Sequence, residues 1–213
     1  MKRTIGILLM ALGVIMITCS VVLFVNNQNE DKQAQESTEY YLPQLIDTIK
    51  NNTENSTSDV SDDISSDDIE DSDTSKDSSS GTDMTVVYID GHGFIGYLSI
   101  PKLNLELPIM SELDYAKLKI SPCRFYGSAK TANLIVGAHN YSRHFGQIGT
   151  LNADDEIYVT DMNGEIYRYA VVSIDILQPY EVDILTNEEY DLVLFTCTYG
   201  GQTRIAVGCD RIQ

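Results

Sequence analysis

Apolar and polar positions divide the chain into three stretches that follow different rules. From Thr4 to Val25 the sequence TIGILLMALGVIMITCSVVLFV carries no charge over 22 residues. A helix of that length is about 33 Å long, enough to cross the ~30 Å hydrocarbon core of a bilayer. From Asn26 to Asp83 the chain is polar and rich in Ser, Asp, Asn and Thr. From Met84 to Gln213 short apolar or alternating segments are punctuated by turn residues, as in a folded domain of ordinary size.

The segments of the last stretch read as strands. GYLSIPKL (96–103) places apolar residues at Leu98, Ile100 and Leu103, and LELPI (105–109) alternates. NLIVGAH (133–139) and DLVLFTC (191–197) are near-continuous apolar runs, as buried strands are. EIYVTD and EIYRYAVVSID flank Asn163-Gly164, a strong short-range hairpin signal, and TRIAVGCDRI (203–212) alternates again. About eight short strands result, with a short helix expected near Ser111–Leu118. The pattern is all-β and fits a closed barrel or a sandwich. No βαβ repetition is present, which argues against a parallel α/β sheet.

Charge changes the picture mainly in the middle. The net charge is −18, and residues 26–83 hold 16 acids against 3 bases, whereas residues 84–213 hold 16 against 9. With no basic stripe, nucleic acid is not an expected partner. Residues 51–83 have few apolar residues and no aromatics, so burial cannot offset the entropy of ordering them. They read as a disordered tether, extended by self-repulsion, that holds the domain away from the bilayer. A calcium-binding reading of the acidic run lacks an EF-hand pattern. Residues 36–50 could form a short helix, weakened by Pro43.

Lys2 and Arg3 precede the apolar run, while Glu30 and Asp31 follow it. This asymmetry places the N-terminus in the cytoplasm and everything from Asn26 onward outside the cell. The rival is a cleaved signal peptide, which has a shorter apolar region and a small-residue cleavage site. Thr18 before Cys19 also fits a lipoprotein signal poorly. The expected organisation is an N-terminus and membrane anchor at 1–25, an acidic extracellular linker at 26–83 and a folded domain at 84–213.

Four cysteines are present. Cys19 lies in the apolar run and reads as one more apolar residue there. Cys197 ends a buried strand and opens onto Thr198-Tyr199-Gly200-Gly201, a position a substrate can reach. By position alone, a buried structural cysteine explains it equally well. His139 ends a second apolar strand, and two strand ends opening on one side of a barrel would bring it to Cys197. Such a pair supplies the thiolate and the proton carrier that cysteine nucleophiles need. Arg204 starts the final strand, and a turn through Gly200-Gly201 would return it beside Cys197, where its fixed charge suits an oxyanion. A structural histidine and a surface arginine are the plain alternatives. His92 and His144 complete the histidines, and Cys123 and Cys209 either pair or remain buried free thiols.

Taken together, LVLFTC followed by TRIAV, IVGAHN, SPCRFYGS and GYLSIPKLNLELPI resemble the motifs of the sortases, cell-surface cysteine transpeptidases of Gram-positive bacteria. The resemblance runs from about Gly93 to Ile212. It implies a closed eight-stranded β-barrel with one or two short helices, behind a transmembrane helix and tether. It also implies that Cys197 is the nucleophile, His139 the acid/base partner and Arg204 the oxyanion and substrate stabiliser. The implied substrates are secreted proteins with a C-terminal LPXTG-like sorting signal, and the acceptor is an amine of peptidoglycan precursor or of a pilin. No cofactor or metal is implied; Asp154, Asp155 and Glu156 read as a solvated turn rather than a calcium site. Residues 175–190 are where the family shapes substrate choice. The sequence departs from the family at Val193, where Thr is usual, in its short Cys-to-Arg loop, and in Ala138 between Gly137 and His139. Two other classes remain: a cysteine peptidase that only hydrolyses, and a non-catalytic surface-binding module on a stalk. A papain-type order would put the cysteine before the histidine, at the start of a helix.

Overall fold

The structure, a computed structural model, describes residues 2–58, 83–186 and 189–213. It contains one long helix, α1 (Lys2–Ser58), and nine strands: β1 (Val87–Ile89), β2 (His92–Ile100), β3 (Leu105–Met110), β4 (Cys123–Tyr126), β5 (Leu134–Ala138), β6 (Glu156–Asp161), β7 (Ile166–Leu177), β8 (Leu192–Cys197) and β9 (Arg204–Arg211). They pair in the order β1-β2-β3-β4-β5-β8-β9-β7-β6, and β6 pairs back onto β2. Strands β2 to β9 therefore close an eight-stranded barrel, and β1 adds a short hairpin arm to β2.

Alternation along these strands turns one face inward, and side chains such as Leu98, Leu107, Val136, Val159, Tyr169, Leu194 and Val207 fill the interior. Closure demands a close approach between β2 and β6. Gly96 has φ +142°, and a Cβ there would lie 1.9 Å from the carbonyl oxygen of Thr160. The strand also shifts register between Phe94 and Gly96, a bulge of the kind that bends barrels. Most pairings are antiparallel, but β5 and β8 run parallel with Leu134 opposite Leu192 and Ala138 opposite Thr196. Being central and covered on both sides, these two strands carry the most continuous apolar runs.

The expected helix near Ser111–Leu118 is reduced to a 3-10 turn at Lys117–Lys119. Asp114 accepts the backbone N–H of Ala116 at 2.8 Å, so a local side-chain bond starts a single turn. The Asn163-Gly164 hairpin forms where expected, with Gly164 at φ +83°.

Helix α1 is longer than the hydropathy pattern implied. Residues 36–50 are helical, as part of an element that runs from the apolar segment to Ser58. Residues 51–58 are thus helical where the start of a disordered tether was expected, and 59–82 lie outside the described residues. The reason is a stripe: Ala34, Leu45 and Ile49 are buried and Tyr41 is partly buried, at helical spacing. Tyr41, Leu45 and Ile49 pack with Phe94, Met110, Cys123 and Met162 as a second core outside the barrel. Pro43 and Glu39, whose carbonyl the proline leaves unpaired, are both on the exposed side, so solvent takes up the loss.

Candidate active site

Three strands deliver the candidate side chains to one end of the barrel. Cys197, the last residue of β8, is the direct partner of Arg204, the first residue of β9. Residues opposite one another in an antiparallel pair point to the same face. On the other side of β8, Ala138 is level with Thr196, so His139, the next residue, enters its loop beside the strand end that carries Cys197. Thr196 Oγ1 donates to the Ala138 carbonyl at 2.8 Å, fastening the two strand ends together.

The connection between Cys197 and Arg204 is compact. Thr198 N–H donates to Thr203 O at 2.9 Å, Thr203 N–H donates back to Thr198 Oγ1 at 3.1 Å, and Gly201 N–H donates to Thr198 O at 2.8 Å. Gly200 and Gly201 take φ +81° and +70°, which the tight reversal requires. Arg204 Nη1 donates to the carbonyls of Gly201 and Thr203, each at 3.1 Å.

His139 sits among aromatic rings. Tyr141 stacks on it at 4.8 Å between centroids, and Tyr115 meets it edge-on at 6.2 Å. Burial lowers its pKa below the ordinary 6.5; the carboxylate of Glu30 opposes the shift and Lys119 adds to it. Burial thus favours the neutral imidazole. Its Nε2 is buried with no hydrogen-bond partner among the described residues.

Behind Tyr141 lies His144, 5.6 Å away and fully buried. Burial pushes its pKa down to about 4, with the neighbouring His139 acting in the same direction. Burial, then the carboxylate of Glu30, raises the Tyr141 hydroxyl to about 12. Helix α1 holds this loop directly: both Asp31 carboxylate oxygens accept from Ser142, one from its N–H and one from its hydroxyl, each at 2.8 Å.

Glu30, Asp31, Tyr141 and Thr196 therefore belong to the site, although sequence reasoning did not single them out. The helical stripe Ala34-Tyr41-Leu45-Ile49 was the signal that would have brought the first two in. His92, at the start of β2, packs edge-on against Tyr41 at 5.9 Å and serves the contact with the helix.

An apolar shelf leads to Cys197 along the outer face of the barrel. Ile135, Val193 and Ala206 form it, with Leu177, Tyr190 and Phe195 against them. Phe195 lies across Gly137, where a Cβ would come within 2.6 Å of its ring, and meets Phe125 edge-on at 5.6 Å. A cavity of about 690 Å³ lies to one side, lined by Leu113, Arg124, Phe125 and Tyr126. A second of about 290 Å³ is lined by Leu177, Tyr190 and Val193. Residues 179–186 form a 3-10 element in the 175–190 stretch beside the shelf.

The other barrel thiols differ from Cys197. Cys123 and Cys209 are free and buried, not paired, and burial pushes both up to about 12. Cys197 is half-buried. In the acidic turn, Asp155 accepts from Asn152 N–H at 2.8 Å and faces Lys102 Nζ at 3.9 Å.

A family model, the sortase domain, matches residues 98–212. Sortase A of Bacillus anthracis is 28% identical over 118 residues, covering 51% of this chain and 54% of that protein. The chain thus spans about half the length of that relative. Among solved structures, sortase A from Corynebacterium diphtheriae superposes with a TM-score of 0.53 at 24% identity, over 57% of this chain and 62% of that one. Sortase C from Clostridium perfringens, in a structure with the C-terminal cell wall sorting motif, superposes with a TM-score of 0.50 at 26% identity, over 56% and 71%. With its closed barrel and this match over more than half its length, the chain belongs to the sortase family.

Proposed function

We propose that the protein is a membrane-anchored cysteine transpeptidase acting outside the cell. The observation that carries this reading is the meeting of Cys197, His139 and Arg204 at adjoining ends of β5, β8 and β9 in a sortase-family barrel. His139 takes the proton of the Cys197 thiol as the sulfur attacks a backbone carbonyl within a C-terminal, LPXTG-like sorting signal of a secreted protein. Arg204 leaves its loop carbonyls to stabilise the oxyanion. As the C–N bond breaks, the leaving amine takes a proton from His139 and a thioester to Cys197 remains. An amine of peptidoglycan precursor or of a pilin adds to the thioester, gives its proton to His139, and expels the thiolate. A neutral His139 is free to accept the thiol proton, and the apolar shelf of Val193, Ala206 and Phe195 suits an extended peptide. The Clostridium perfringens structure with the C-terminal cell wall sorting motif supports this class of donor. Residues 4–25 lie in a helix apolar enough to be the anchor, and Lys2 and Arg3 ahead of it would keep the N-terminus in the cytoplasm.

The test is intact mass after incubating the full chain in detergent with sorting-signal peptides. An adduct of the peptide's N-terminal fragment is expected, released by an added amine and absent in Cys197→Ala. Release by water alone, with an added amine giving no amide product, would mean hydrolysis instead of transfer. Selective binding of peptide by wild type and Cys197→Ala alike, with no adduct in either, would favour a binding module.

A further inference from the structure

The geometry of helix α1 points to a surface that the catalytic reading does not include. The uncharged segment ends at Val25, and the helix continues without interruption through Asn27 and Asp31. At 1.5 Å per residue, Asn27 lies only about 3 Å and Asp31 only about 9 Å of helix beyond the apolar segment. Both residues are already at the active-site end of the barrel. Asp31 is bonded to Ser142 at 2.8 Å, and both line a cavity of about 370 Å³ with Tyr141, Tyr199 and Gly200. The opposite end of the barrel is held much later: Asn52 Nδ2 donates to Met162 O at 3.0 Å, at the β6–β7 hairpin. The helix rises about 32 Å between Asp31 and Asn52, which sets the barrel upright with its hairpin outward and its active-site end inward.

That inward end is ringed by exposed tyrosines. Tyr199 follows Cys197 by two residues and is 88% exposed. Tyr115, beside His139, and Tyr180, just past the end of β7, are 76% and 77% exposed. Tyrosine pairs an apolar ring with a polar tip and concentrates at headgroup depth in membrane proteins. Lys119 and Arg143 are exposed near the same mouth, but the barrel as a whole is acidic, so attraction to anionic lipid is not the driving force.

We propose that the active-site end of the barrel rests on the lipid headgroups of the membrane that holds residues 4–25, with Tyr199, Tyr115 and Tyr180 as its contact. This rests on the membrane-spanning reading of residues 4–25. The contact needs little intrinsic affinity, because the helix holds the barrel at the surface. It places Cys197 where donors and acceptors that are themselves held at the bilayer arrive, ahead of freely diffusing peptides.

The chain contains no tryptophan, so a single substitution creates a lone reporter. Full-length Tyr199→Trp and Ile166→Trp would be reconstituted in phosphatidylcholine vesicles containing lipid spin-labelled near the headgroup. Ile166 is 61% exposed and starts β7 at the far end, so it is the control. Expected is quenching of Tyr199→Trp at least twofold stronger than that of Ile166→Trp, with a blue-shifted emission. Equal quenching, or none in either variant while the protein still floats with the vesicles, would overturn the proposal and leave the anchor intact. Protein that fails to float with the vesicles would overturn the anchor and the proposal together.

Discussion

Thr196 shows how one hydroxyl can hold two strand ends in place. Its bond to the Ala138 carbonyl is buried, so Thr196→Val leaves that oxygen without its partner at a cost of about 1–3 kcal/mol. The carbonyl belongs to the residue before His139, so turnover falls together with stability. Thr196→Ser keeps the bond and restores both; urea unfolding and thioester formation measured on the two variants check this. The places of Cys197, His139 and Arg204 in the fold were legible in sequence because each lies where an apolar strand meets a polar loop. Thr196 was not, because its partner is 58 positions away and nothing local marks the pairing. Glu30 and Asp31 were also silent: next to an apolar run they read as orientation charges, and their contact with the histidine loop is a property of the fold.

At the scale of elements, the strands were readable and the helix was only partly so. Strand alternation and the Asn-Gly turn are local signals, which is why the barrel's elements appear in the sequence. The parallel pairing of β5 and β8 is not local, since the two strands are separated by a whole hairpin. Helix α1 was hidden by polar composition and by Pro43, which counts as a breaker only where its lost bond is buried. Leu45 is the anchor of the helix on the barrel, fully buried against the second core. Leu45→Ala weakens that packing by about 2–5 kcal/mol. Limited proteolysis is expected to cut residues 26–58 in this variant while the barrel stays protected. Simultaneous loss of both would mean that the helix and barrel unfold as one unit.

At the scale of the whole molecule, His144 couples stability to pH. Its folded pKa of about 4 lies below the ordinary 6.5, so between those values the unfolded chain binds a proton that the folded chain does not. Stability is therefore fully present above pH 6.5 and is lost as pH falls toward 4, by up to about 3 kcal/mol. His139 shifts in the same direction. His144→Phe removes that titration, and the fall in thermal midpoint between pH 7 and pH 4.5 is expected to be smaller than in wild type. An unchanged fall would assign the acid sensitivity to other groups.

The way the strands interleave also sets an order of assembly. His139 directly follows β5, yet the neighbouring strand β8 comes only after β6 and β7, and Arg204 arrives with β9, which is clamped between β8 and β7. Contacts so far apart in sequence form late, because a long loop must close before they contribute. A chain emerging from the N-terminal side carries its histidine long before its cysteine and arginine. The thiol consequently comes beside its histidine only when the barrel is shut, so whatever activation that partner gives arrives with the finished fold.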